Sequence, residues 1–155
     1  MESRHLGPIT LDGGPGGGAM NGSVPFEGKD VQARIEIDFP DRFDESVLND
    51  VDMVLDNLAF LDEMARTTIA EGVRRDSSPA AGVFRTWEQG RVGGASEDDF
   101  VDGLSVARVL ILPDGGTANR DRVVMSYVAD DAPALESIRV KFVEPTGPEL
   151  TRSYR

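Results

Sequence analysis

Residues 31–39 read Val-Gln-Ala-Arg-Ile-Glu-Ile-Asp-Phe and carry the clearest strand signal in the chain. Apolar and polar side chains alternate there at period two, which is typical of a strand with one buried face. Residues 20–26 carry a similar signal, and residues 27–30 supply turn formers between the two. The two segments are therefore predicted to pair as a hairpin. A flexible glycine loop at residues 13–18 is expected to connect it to an earlier edge strand at residues 9–11.

The segment after Pro40 changes to helical periodicity. Asp44 is a natural N-cap, and a core-facing stripe at 100° per residue runs to about Val73. The stripe is formed by Val47, Val51, Val54, Leu58, Ala65 and Ile69. Asp62 falls on its inner side, so we expect two helices with a kink, with Asp62 acting either as the second cap or as a satisfied buried carboxylate. Shorter helices are predicted after Ser78-Pro79 and after Ser96.

The last third returns to strands. Residues 106–112, 122–128 and 137–143 are β-branched runs separated by turn residues, which predicts an antiparallel meander. Residues 150–155 are expected to be a frayed tail or a short edge strand. The element order predicts an α+β fold in which an N-terminal hairpin, central helices and a C-terminal three-stranded meander place helices on one face of a mainly antiparallel sheet. At 155 residues, we expect one domain spanning residues 1–155.

Composition and charge disfavour several classes of partner. The chain has no cysteine, so disulfides and thiolate metal sites are excluded. Its formal net charge is −12, which disfavours binding to nucleic acid or to an anionic membrane surface. Two interpretations of the charge stay open: a cationic partner such as a basic protein, or a charge that only keeps the protein soluble. No signal peptide or membrane-spanning window is apparent, so a cytoplasmic location is expected.

Few residues suggest catalysis. His5 is the single histidine and is expected to be an ordinary surface residue, so a histidine triad or a multi-histidine metal site is not expected. The glycine run lacks the features of a nucleotide-binding loop, and no cofactor or metal is predicted.

Two other features are interpreted as structural. The helical spacing of Trp87 with its apolar neighbours favours a core position over an exposed anchor. The acidic residues from Glu97 to Asp102 could hold a divalent ion, but they lack the Asp-x-Asp-x-Asp-Gly pattern of a calcium loop. They are interpreted mainly as residues that cap and stabilise the start of a helix.

The candidate binding residues are four acids in the helical region. Glu45, Asp52, Asp56 and Glu63 follow one another at i, i+7, i+11 and i+18 and thus lie within about 40° of one another on one helix. They are predicted to form an acidic stripe opposite the core. The stripe is interpreted either as a solvated face or as a partner surface.

Several short segments carry a resemblance to a known family. They are Leu6-Gly7-Pro8-Ile9, Phe26-Glu27-Gly28-Lys29, Val106-Ala107-Arg108-Val109, Leu112-Pro113-Asp114 and Ile138-Arg139-Val140-Lys141-Phe142. In their order along nearly the whole chain, they make it similar to a bacterial domain-of-unknown-function family, number two thousand and four of that series. The resemblance implies the same fold. It implies no functional residues, because these segments are core and turn positions.

Three functions remain open from the sequence. The first is a non-enzymatic, acidic protein-binding module, immunity-like or inhibitor-like, that binds a basic protein. The second is a carboxylate-based enzyme that depends on a divalent metal, with Arg108 or Arg122 orienting an anionic substrate. The third is a small structural protein or homodimer that pairs through the edge near residues 20–26. The absence of a catalytic set favours the first.

Overall fold

The computed structural model describes residues 1–13, 17–91, 93–114, 121–143 and 147–152. The strands are β1 (Glu2–Ser3), β2 (Gly7–Pro8), β3 (Gly18–Phe26), β4 (Lys29–Ile37), β5 (Leu104–Ile111), β6 (Asp121–Ala129), β7 (Ile138–Val143) and β8 (Gly147–Thr151). The helices are α1 (Glu45–Asp56), α2 (Leu58–Val73), α3 (Pro79–Gln89) and α4 (Glu97–Asp102), preceded by a 3₁₀ turn at Pro40–Arg42. None of these helices is long and apolar enough to cross a membrane.

Strands β3 to β8 form one sheet in which every strand lies beside its neighbours in sequence. Strand β4 pairs with β5 in parallel, and the other neighbouring pairs are antiparallel. All four helices lie in the connection between β4 and β5. The predicted α+β class is confirmed, including the hairpin β3–β4. The three segments of the predicted meander are β5, β6 and β7, and β8 extends that meander by a fourth strand.

The turn between β3 and β4 consists of Glu27 and Gly28. Both residues have positive φ, 50° and 77° respectively. That combination is the mark of a two-residue turn whose twist matches the flanking strands, and it normally favours Asn-Gly. Glu27 therefore occupies a left-handed conformation that suits a β-carbon poorly.

The helices cover one face of the sheet, and the hydrophobic core lies between the helices and that face. Inward-facing Ile35, Val109, Met125 and Val140 come from four successive strands, and each is fully buried. Ile69 of α2 is fully buried in the same apolar cluster. A second, smaller cluster of Leu110, Leu112 and Val124 lies on the opposite face of the sheet. Among the described residues, the sheet therefore separates a helix-covered face from a face that carries no helix.

The helix starts agree with the capping predictions at three points. The Asp44 carboxylate accepts from the Val47 N–H, and the Ser78 hydroxyl accepts from the Ala80 and Ala81 N–H groups. Ser96 caps α4 through the Asp99 N–H. The predicted break between two helices is also present, although α2 begins at Leu58 and Asp62 does not cap it.

The N-terminal region differs from the prediction. Residues 9–11 form no strand, and the chain instead makes the short ribbon β1–β2 followed by a single bridge from Asp12 to Ala19. Residues 14–16 of the predicted glycine loop lie outside the described residues. At the other end, Leu150 and Thr151 belong to the edge strand β8.

Candidate functional site

The core-facing side of α1 is rotated from the predicted one. Leu48, Val51 and Leu55 are buried, whereas Val47 and Val54 are only partly so. At 100° per residue, this moves the centre of the buried face by roughly 80° toward the acidic side of the helix. Leucines at the new centre fill more of the space over the sheet than valines would, and burial of apolar area favours that orientation.

The four predicted acids consequently do not form one exposed stripe. Glu45 and Asp56 are exposed on α1, and Glu63 is exposed on the separate helix α2. Asp52 is buried, with 3% of its surface exposed. The predicted geometry of a single solvent-facing acidic stripe is therefore wrong, because α1 is rotated and the helix ends before Glu63.

Asp52 anchors the N-terminal ribbon. The buried Ser3 hydroxyl donates to Asp52 Oδ1 at 2.5 Å, and the Arg4 backbone N–H donates to Oδ2 at 3.2 Å. Ser3 Oγ in turn accepts from the N–H groups of His5 and Leu6, both at 3.1 Å. These bonds satisfy a carboxylate that would otherwise be costly to bury. Asp52 is thus a structural residue.

Asp56, one turn further along α1, pairs with the same segment. Arg4 Nη2 lies 2.5 Å from Asp56 Oδ2, and His5 Nε2 lies 2.6 Å from Oδ1. The hydrogen bond from His5 holds the pKa of Asp56 below its ordinary value, and the Arg4 charge acts in the same direction. His5 is therefore a partner of Asp56 rather than an isolated surface residue. Two of the four predicted binding residues, Asp52 and Asp56, therefore bond to the N-terminal segment.

A different surface of the helices is exposed and apolar. Phe60 has 61% of its surface exposed and Met53 has 57%. Phe60 lies nine residues before Ile69, half a turn away around α2, so it points directly away from the core. Glu63, Thr67 and Glu71 are exposed on the same side of α2. We call the set Asp50, Met53, Phe60, Glu63, Thr67 and Glu71 the Phe60 surface.

Two grooves flank Phe60. One, of about 690 Å³, runs between α2, the start of α3 and β8, and Glu63 and Glu71 line it. The other, of about 560 Å³, lies between the α1–α2 junction and the end of the sheet, with Asp50 and Met53 among its lining residues. Phe60 lines both and forms the ridge between them. The sequence signal for this surface was the presence of two large apolar residues off the core stripe.

The buried Asp62 belongs to a second polar network. Tyr127 Oη donates to Asp62 Oδ1 at 2.7 Å, and Arg66 Nε contacts both carboxylate oxygens at 3.1 Å. The remaining guanidinium nitrogens of Arg66 donate to the carbonyls of Val101 and Leu104. Burial and the neighbouring Asp62 raise the pKa of Tyr127 well above its ordinary value. Each named polar group has a partner, so the network ties α2 to α4 and the sheet.

A polar cleft of about 600 Å³ adjoins this network. On its wall, Lys29 Nζ donates to Asp130 at 2.9 Å and to Ser105 at 2.7 Å, and Ser105 donates to the other Asp130 oxygen. The Lys29 and Ser105 bonds lower the pKa of Asp130. Within the described ranges, no group of three or more acidic or histidine side chains is arranged to hold a metal ion. The polar side chains Lys29, Ser105 and Asp130 on the cleft wall therefore hydrogen-bond to one another.

Trp87 is a core residue, as predicted. It is 7% exposed and packs against Phe84 and Phe100. Its indole N–H donates to Asp131 at 3.0 Å, and Arg91 pairs with the same carboxylate while lying over the indole ring. The indole hydrogen bond, together with the bond and charge of Arg91, lowers the pKa of Asp131. Trp87 therefore fixes α3 and offers no exposed anchor.

No family model, curated protein or solved structure matches the chain. The resemblance to the uncharacterised bacterial family consequently stays a prediction. The Phe60 surface combines exposed apolar and exposed acidic side chains.

Proposed function

We propose that this protein is a non-enzymatic binding module of the bacterial cytoplasm, immunity-like or inhibitor-like, that binds a basic protein through the Phe60 surface. The observation that carries the proposal is the 61% exposure of Phe60 on the side of α2 opposite the core. A large aromatic side chain gains most from removal from water, and such residues dominate the binding energy of many protein interfaces.

The surroundings of Phe60 support a protein ligand. A ridge between two grooves is complementary to a partner that places side chains on both sides of the ring. Met53 is the second exposed apolar residue and adds a flexible contact that adapts to an irregular surface. The acids Asp50, Glu63 and Glu71 stand around this apolar centre, which is the usual arrangement of a polar rim around a desolvated core.

The charge of the protein favours a basic partner. With 28 acidic and 16 basic residues, the long-range field of the chain attracts cations. Complementary charge speeds association and excludes acidic competitors, and its effect weakens as salt screens the rim charges. We therefore expect fast association at low salt and an affinity that falls with ionic strength.

The test begins with affinity capture from the source bacterium at low salt, followed by purification of the retained protein and calorimetry with the purified pair. We expect a basic partner and one-to-one binding. Phe60→Ser is expected to weaken the affinity about thirtyfold or more, because truncating a central aromatic residue of an interface costs about 2 kcal/mol or more. Glu45→Ser on α1 is the matched surface control and is expected to bind within about twofold of wild type.

Several results would contradict the proposal. These are a partner that binds Phe60→Ser and wild type equally, a partner that is acidic, and an affinity independent of salt. A thermal shift produced by millimolar magnesium, manganese or calcium would instead favour the carboxylate-based enzyme. Light scattering distinguishes the homodimer, which requires a mass twice that of the 16.7 kDa chain.

A further inference from the structure

The face of the sheet without helices carries a polar row that contains two arginines. The strand register pairs Gln32 with Arg108, Arg108 with Ser126, Ser126 with Arg139, and Arg139 with Thr151. Register partners stand side by side on one face of a sheet, so Arg108 and Arg139 flank Ser126. Their Cα atoms are separated by two strand spacings, about 10 Å, which lets the two long side chains converge above the serine hydroxyl.

A β-bulge places Arg108 on this face. Val106 pairs with Tyr127 and Arg108 pairs with Ser126, which leaves Ala107 as an extra residue in β5. Without the bulge, strict alternation would place Arg108, two residues after Val106, on the same side as Val106, toward the helices. Bulges commonly redirect a side chain beside a functional site. The local backbone of β5 thus presents a guanidinium on the open face of the sheet.

Arg108 also lacks a partner for a buried atom. Its Nε is inaccessible to solvent and makes no hydrogen bond among the described residues. Arg139 donates to a neutral acceptor, the Arg152 carbonyl, at 2.7 Å. Buried charged groups are normally paired. The row of register partners from Gln32 to Thr151 holds two arginines and no acidic residue, although the chain has 28 acidic residues.

We propose that Arg108, Ser126 and Arg139 bind a phosphate-type oxyanion, either free phosphate or the phosphate group of a small molecule. The planar guanidinium group matches the spacing of phosphate oxygens and makes bidentate, charge-assisted hydrogen bonds. The Ser126 hydroxyl between the two arginines supplies a third donor. A bound anion offsets the mutual repulsion of the two cations. The site lies across the sheet from the helices and is independent of the Phe60 surface.

The test is a titration of the full chain with inorganic phosphate at constant ionic strength, with chloride as the balancing anion, followed by amide shifts in ¹H–¹⁵N NMR spectra. We expect saturable shifts in β5, β6 and β7. Arg108→Gln is expected to weaken binding about tenfold, the usual effect of losing a charge-assisted hydrogen bond. Arg85→Gln, which removes an exposed arginine of α3, is the matched control and leaves binding unchanged.

A second titration, with ribose 5-phosphate, distinguishes the two sources of phosphate. Tighter binding than inorganic phosphate assigns the site to a phosphorylated small molecule, and equal or weaker binding assigns it to free phosphate. Arg139→Gln repeats the test on β7 in case Arg108→Gln does not fold. The proposal is overturned if phosphate gives no saturable shifts in these three strands, or if folded arginine variants bind it as wild type does.

Discussion

The Ser3 hydroxyl and the Asp52 carboxylate form a buried hydrogen bond of 2.5 Å across 49 residues of sequence. Through this bond, the first residues of the chain attach to the flank of α1. Leu6 and Ile9 next to this bond pack against the core, so the polar anchor acts together with apolar contacts to hold the segment in place.

We expect Asp52→Ala to destabilise the protein by roughly 1–3 kcal/mol, because it leaves the buried Ser3 hydroxyl and the Arg4 N–H without their acceptor. Urea unfolding at pH 7 measures the change in free energy of unfolding. Glu45→Ala, at an exposed position in the first turn of the same helix, is the control, with an expected effect within about 0.5 kcal/mol. Equal losses for the two variants would show that Asp52 does not anchor the ribbon.

The carboxyl pKa of Asp56 is expected to lie below its ordinary value of 3.8 in the folded protein and to move toward that value in His5→Ala. A depressed folded pKa contributes stability that is present above the unfolded pKa and is lost as pH falls through the folded one. The ribbon should therefore loosen below about pH 4. Carboxyl ¹³C NMR measures the pKa directly. Asp131, held by Trp87 and Arg91, is the internal control, and its pKa should not respond to His5→Ala.

Removal of the partners of Asp62 should reveal a graded loss of stability. Tyr127→Phe removes one hydrogen bond to a charged acceptor and is expected to cost about 1.5–3 kcal/mol. Arg66→Ala leaves the buried Asp62 charge and two carbonyls without their donor, and is expected to cost about 3–5 kcal/mol. Chemical unfolding of both variants beside Thr67→Ala, an exposed neighbour on α2, gives the comparison. A smaller loss for Arg66→Ala than for Tyr127→Phe would contradict this ranking.

One substitution is expected to stabilise the fold. Glu27 holds a φ of 50°, and Asn tolerates this left-handed conformation better than Glu. Glu27→Asn creates the preferred Asn-Gly turn and should raise the free energy of unfolding by about 0.5–1 kcal/mol. Calorimetry should show a higher midpoint of thermal unfolding. Gly28→Ala, at a φ of 77°, should lower it, and a rise for both would show that turn conformation does not determine the effect.

Local sequence patterns predicted the fold class because each one depends on near neighbours. Period-two alternation in β4 and the capping residues Asp44, Ser78 and Ser96 fix their elements through contacts within a few residues. The parallel pairing of β4 with β5 depends on how the intervening helices pack, which no local pattern encodes.

The candidate site was harder to predict because helix orientation depends on the relative volumes of the side chains that pack. The prediction centres the core face of α1 on the valines, whereas Leu48 and Leu55 lie at its centre in the structure. For this reason the prediction places Asp52 on the exposed side. The contact of Ser3 with Asp52 is long-range and has no local signature. The bulge did leave a trace in the sequence, since the inward residues Val106 and Val109 are three apart instead of two.

The seam between β4 and β5 also has a kinetic consequence. It joins Gln32 to Arg108, 76 positions apart, whereas the adjacent pairs on either side are built from hairpins and short connections. Closing so long a loop sacrifices chain entropy before any contact compensates for it. The hairpin β3–β4 and the strands from β5 onward are therefore expected to assemble first as two separate nuclei. We expect the pairing of β4 with β5, together with the packing of the helices over it, to limit the rate of folding.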